Sequence, residues 1–157
     1  MQIVNESPNL SAERIESLKA GTLAALSFTL TYTLISVGNS LVLAESFPQL
    51  AALQITTPVD LLIRAAVAWL SGFLFGVTYR YVIREDNNPH LKDGAALAFG
   101  LVRGLAPVEG QQNLIDAFWL LGVLGIENIL CFLVARFTLD WAIYHRWIKP
   151  FKSASVI

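Results

Sequence analysis

Four long stretches from which charged side chains almost vanish divide the chain, and short polar segments rich in proline and asparagine separate them. The first, AGTLAALSFTLTYTLISVGNSLVLA over residues 20–44, holds no charged residue. At about 1.5 Å per residue it predicts a helix of roughly 37 Å, enough to span a bilayer with tilt. Its ending VLA before Glu45 looks like a signal-peptidase site. The apolar run is too long for a leader, however, and the residues before it contain acids, so a retained helix is expected. The second segment covers residues 59–83. Thr57, Pro58 and Asp60 mark its start, because proline suits the first turn and an acid suits the positive end of the helix dipole. Arg64 lies one turn after Asp60 and is spaced to pair with it.

The third segment covers residues 89–106, with Asn88 as cap, Pro89 in the first turn and Pro107 as terminator. It gives roughly 27 Å of helix, just enough to cross. The fourth covers residues 114–147, opened by Asn113 and Asp116 in the spacing of a capping box and stopped by Pro150. It predicts roughly 50 Å, so its last turns leave the bilayer. The fold expected is therefore an all-α membrane protein of four transmembrane helices, one integral membrane domain over 1–157. Weakly ordered tails are expected at 1–12 and 151–157.

Composition and charge sharpen this picture. The 157 residues are 55% hydrophobic and 15% charged, with a mean hydropathy of +0.56. A soluble domain of this length needs more charge to cover its surface. The net charge of -1 offers no basic field for nucleic acid. A single cysteine and two histidines leave no disulfide and no metal cluster to build. Arg14, Lys19, Arg80, Arg84, Lys92, Arg146, Lys149 and Lys152 all fall at one set of helix ends. The connections 45–58 and 107–113 hold no lysine or arginine. The positive-inside rule then places both termini and the loop REDNNPHLK on the cytoplasmic side, stromal in a plastid. Tyr79, Tyr81, Trp141, Tyr144 and Trp147 would form an inner aromatic belt, and Phe47 and Trp119 an outer one.

Ala68, Gly72 and Gly76 recur every four residues in the second segment, as do Ala96, Gly100 and Gly104 in the third. Small residues at this spacing let helix backbones approach closely, either within a bundle core or against another membrane protein. Arg103 lies on the small-residue face of the third helix. A charge there must point into protein and be answered. Glu127, in the middle of the fourth helix, is the expected partner, and Glu109 the alternative. Arg136 and Asp140 are spaced to pair near the inner boundary. The stripe Thr29, Thr33, Ser36, Ser40 bonds helix to helix or furnishes polar steps of an ion path. No phosphate-binding glycine loop, H-E-x-x-H or G-x-S-x-G appears, so an enzyme is not expected.

The run GFLFGVTYRYVIREDNNPHLKDGAALAFGLVRGL, residues 72–105, resembles a small multi-pass thylakoid membrane protein family of cyanobacteria, with related proteins in chloroplasts. NLSAERIESLKAG and IKPF near the two ends are also similar. The resemblance carries no activity to individual residues. It implies an environment: a thylakoid membrane, with photosystems and their assembly machinery as neighbours. The light-harvesting pattern Glu-x-x-Asn/His-x-Arg is absent, because Glu127 adjoins Asn128 and Arg136 is too distant. No cofactor is required by the spacing. Chlorophyll, carotenoid or lipid are the ligands that the helix surface would accommodate. The expected function is a non-catalytic accessory subunit, or an assembly and stability factor, of a photosynthetic membrane complex. The alternative is a small oligomeric transporter or channel using the Arg103 and Glu127 region.

Overall fold

The computed structural model describes residues 10–83, 88–110 and 112–151, and among them it is all helical. Helix α1 runs Leu10–Gly38 and continues through a π-helical stretch, Asn39–Leu43, and a last turn, Ala44–Ser46. A 3₁₀ segment, Pro48–Leu53, leads to α2, Pro58–Ile83. Helix α3 is Pro89–Leu105 and runs into a 3₁₀ turn, Ala106–Gly110, and α4 is Leu114–Tyr144. The expected starts at Asn88 and Asn113 hold: each side chain accepts a backbone N–H two residues on, from His90 and Ile115.

Three of these helices, α1, α2 and α4, are long and apolar enough to cross a membrane. Helix α3 is the exception. Its 17 residues give roughly 26 Å, and it begins with His90, Lys92 and Asp93. The expectation for the first helix needs extension at its start. The helix begins at Leu10, so residues 10–12 are helical and not tail. Its first turns carry Glu13, Arg14, Glu16 and Lys19, which are good helix formers; Glu16 pairs with Lys19, and Glu13 with Arg80 of α2. Residues 1–9, 152–157 and the 84–87 part of the polar loop lie outside the described residues.

The bundle is built from two antiparallel pairs, α1 with α2 and α3 with α4, joined chiefly across α1 and α4. Small residues set both pair contacts. A Cβ built on Gly72 would lie 2.8 Å from the Ala25 Cα, and one on Gly76 would run into the Ala20 carbonyl and the Ala24 Cβ. On the other pair, a Cβ on Gly100 would lie 2.7 Å from the Ile129 Cα, and one on Gly104 2.7 Å from the Gly125 Cα. With Ala68 and Ala96, all six residues of the two stripes are buried inside the bundle. The stripes do not face one another. That of α2 seats α1, and that of α3 seats α4.

One phenylalanine from each helix meets at the centre: Phe28, Phe75, Phe99 and Phe132. Phe132 lies 4.3 Å from Phe28, 5.0 Å from Phe75 and 5.6 Å from Phe99, centroid to centroid. Such tilted and edge-on ring pairs are favoured over face-to-face stacking. The outward faces remain apolar, with Leu26, Leu30, Leu34, Leu62, Leu70, Phe118, Ile126 and Phe137 all exposed. A water-soluble monomer does not carry apolar surface on this scale.

Candidate functional site

Charge gathers at two levels of the bundle. The first is the end where α1 begins and α4 finishes. There Arg80, only 1% exposed, donates through Nε to the Lys149 carbonyl (2.9 Å) and through Nη1 to the Glu13 carbonyl (3.0 Å) and the Ser17 hydroxyl (2.7 Å). Its Nη2 meets the Glu13 carboxylate. Lys149 N–H donates to Glu16 (2.9 Å), which also pairs with Lys19. Beside this cluster, Asp140 accepts from the Tyr79 hydroxyl (2.8 Å) and faces Lys92 (3.4 Å) and Arg136 (3.5 Å). Arg136 also pairs with Asp93. All four helices contribute, so the expected Arg136–Asp140 pair is one link of a four-helix clasp.

This clasp corrects two expectations. Arg80 reads in the sequence as a flanking interfacial charge, and Tyr79 as part of an aromatic belt. Both are buried, and both bond across helices. The signal was present in the small-residue stripe: Arg80 is the next step of four after Ala68, Gly72 and Gly76, so it continues the buried face. Tyr81, Trp141, Tyr144 and Trp147, by contrast, are exposed, as are Phe47 and Trp119 at the opposite end.

The second level is the arginine of the third helix. The expected Arg103–Glu127 pair does not form. Arg103 Nη1 donates to the Ser71 hydroxyl at 2.7 Å and reaches the Val67 carbonyl at 3.5 Å, both on α2. Its guanidinium lies over the rings of Tyr32 (4.8 Å) and Phe28 (5.4 Å) on α1. Glu127 instead accepts from the Asn39 amide at 2.7 Å, where α1 takes its π-helical form. The reason is directional: Arg103 reaches toward α2 and the middle of α1, whereas Glu127 meets α1 nearer its far end. Glu109 does not pair with Arg103 either. Among the described residues Arg103 therefore meets hydroxyl, carbonyl and aromatic faces but no carboxylate, and its buried Nε has no partner.

Two cavities meet at this arginine. One, of about 410 Å³, is lined by Tyr32, Arg64, Val67, Arg103, Leu124 and Asn128 among others. The other, of about 440 Å³, is an apolar groove between α2 and α3 walled by Ser71, Leu74, Ala98, Phe99, Val102 and Arg103. Both fall within the roughly 300–1,000 Å³ of small-molecule sites. Arg64 at the rim is paired with Asp60 at 3.0 Å, as its spacing predicts. Asn128 is 3% exposed. Its amide donates to the Leu124 carbonyl (2.8 Å), while its Oδ1 has no partner. The stripe hydroxyls of α1 have separate uses: Ser40 accepts the Ile55 N–H at 2.9 Å, and the buried Thr29 hydroxyl has no partner.

The two histidines lie away from this centre: His145 is exposed with Nδ1 2.9 Å from the Trp141 carbonyl, and His90 is exposed at the start of α3. Cys131, a buried free thiol, lies within electrostatic reach of both Arg103 and Glu127. No group of three His, Cys, Asp or Glu side chains that could hold a metal ion occurs among the described residues. No protein-family model, no curated protein and no solved structure matches this chain.

Proposed function

We propose that the chain is a four-helix integral membrane protein, with both termini cytoplasmic or stromal. On this reading it serves as a non-catalytic accessory subunit, or an assembly and stability factor, of a larger membrane complex. The observation that carries this reading is the distribution of polarity. Most of the ion pairs are drawn into a clasp at one end, while the helix flanks offer lipid or neighbouring helices apolar surface. The lysine and arginine asymmetry orients that clasp toward the cytoplasm. Helix α3 is shorter than the hydrocarbon layer, and it completes the fourth crossing by extending its polar first turn to the interface and by local thinning of the bilayer. The photosynthetic setting, and thylakoid membrane in particular, rest on the resemblance of residues 72–105.

The transporter alternative depended on Arg103 and Glu127 acting together, and the separate partners of the two residues remove its main support. Extraction in a gentle detergent followed by native electrophoresis separates the readings. Migration with a large pigmented complex is the expected result. Migration as a small homo-oligomer, with ion flux after reconstitution, would favour transport.

A further inference from the structure

Among the described residues, Arg103 is a positive charge of the bundle interior without a counter-charge, and there is space beside it. Arg103 meets no carboxylate among the described residues, its Nε is buried without an acceptor, and two cavities share it as a wall. A charged side chain at this depth is costly unless answered, and an unsatisfied buried donor adds its own penalty. Across the inner cavity the Asn128 Oδ1 is a buried acceptor without a donor. The site therefore presents two complementary vacancies: a guanidinium edge calling for an anionic oxygen, and an amide oxygen calling for an O–H or N–H. Arg64 also lines this cavity at its rim, where its Nε is held by Asp60 at 3.0 Å.

The groove leading from Arg103 fixes what carries that anion. It runs between α2 and α3, the adjacent helices that touch each other least, and opens on the lipid-facing flank beside Val102, which is 71% exposed. Its other walls are Leu74, Ala98, Phe99 and Phe132, with nothing to solvate a polar molecule. A partner helix is about 10 Å across and cannot enter a slot of this size to reach a side chain as buried as Asn128. An acyl chain can.

We infer that the cleft between α2 and α3 is a binding site for one anionic lipid with a hydroxyl-bearing headgroup. The headgroup anion sits on Arg103, with the Arg64–Asp60 pair at the rim beside it, a headgroup hydroxyl donates to Asn128 Oδ1, and an acyl chain lies in the groove along Leu74, Ala98 and Val102. The bound lipid supplies the negative charge that the chain itself withholds from Arg103. It also fills the space where α2 and α3 diverge. The site requires that the helices lie in a bilayer, but it is independent of which complex the protein joins.

Native mass spectrometry of the full chain in detergent tests the site, with phosphatidylglycerol, phosphatidic acid and phosphatidylcholine of matched acyl chains as probes. Wild type is expected to retain one phosphatidylglycerol at least tenfold more strongly than phosphatidylcholine. Asn128→Leu narrows the margin of phosphatidylglycerol over dianionic phosphatidic acid, measured at pH 9, because only the former then has a headgroup hydroxyl to donate. Arg103→Gln abolishes the preference for anionic lipid. Should Arg103→Gln fail to fold, Arg64→Gln at the rim is expected to weaken the preference several-fold, and Ala98→Trp to exclude lipid by filling the groove. Equal retention of phosphatidylglycerol and phosphatidylcholine by wild type would overturn the proposal. So would retention unchanged by Arg64→Gln and Ala98→Trp. Thermal stabilisation by glycerol 3-phosphate equal to that by phosphatidylglycerol would assign the site to a soluble anion and contradict the lipid.

Discussion

Replacing Arg80 by methionine removes the centre of the clasp while keeping a side chain of similar length. Four acceptors lose their donor: the carbonyls of Lys149 and Glu13, the Ser17 hydroxyl and the Glu13 carboxylate. Removing one partner of a buried charged pair costs about 3–5 kcal/mol, because the charge that remains is uncompensated. Glu13 is partly open to solvent and Ser17 keeps a second contact with the Tyr81 hydroxyl at 3.2 Å, which places the expected loss toward the lower end. For a chain of this size each kcal/mol shifts the unfolding midpoint by roughly 2–4 °C, so Arg80→Met should lower it by about 6 °C or more. Arg80→Lys keeps the charge but not the planar fork, and should fall between wild type and Arg80→Met. Arg14→Met, on the exposed face of α1, is the control and should change stability by less than about 0.5 kcal/mol. Thermal unfolding of the purified protein in detergent measures all three. An Arg80→Met protein as stable as the Arg14→Met control would show that Arg80 does not hold the clasp together.

Two further outcomes follow from the packing and from the separated charges. Gly76→Ala forces a Cβ onto the Ala20 carbonyl and Ala24, and should cost about 1–3 kcal/mol, whereas Gly122→Ala meets nothing and should be neutral or stabilise by up to about 1 kcal/mol; equal effects in the same unfolding assay would contradict the α1–α2 contact. Arg103→Leu and Glu127→Leu should each destabilise, and their double mutant should add within about 0.5 kcal/mol, because the two residues hold different partners; rescue of one by the other would restore the direct pair.

The helices were legible because their signals are local. Charge-free runs, the capping side chains of Asn88 and Asn113 and the stop at Pro107 act within a few residues of a boundary, whereas α4 ends at Tyr144, short of the expected 147 and well before Pro150. The small-residue stripes were legible as close-packing faces for the same reason, although which helix each face meets is a long-range fact that spacing does not carry. The charged centres divide along this line. Asp60–Arg64 and Arg136–Asp140 pair at helical spacing and could be read from it. Arg80 bonds to residues of α1 and to the segment after α4, more than 60 positions away in either direction, so only its place on the stripe hinted at burial. The Arg103–Glu127 expectation failed because it rested on opposite charges inside two apolar helices, which does not say which way either side chain points around its helix. The change to π-helical form at Asn39, which brings its amide to Glu127, leaves no trace that hydrophobic periodicity detects.

The central claim is that the four helices, α3 included, alternate across the bilayer with the clasp facing the cytoplasm. Single cysteines at Gln49, His90 and Glu109, all exposed, test it in a Cys131→Ala background with a membrane-impermeant maleimide on sealed vesicles of known orientation. His90→Cys should be labelled from the cytoplasmic face alone, and Gln49→Cys and Glu109→Cys from the opposite face alone. Labelling of His90→Cys and Glu109→Cys from the same face would show that α3 does not cross, and would contradict the four-helix topology.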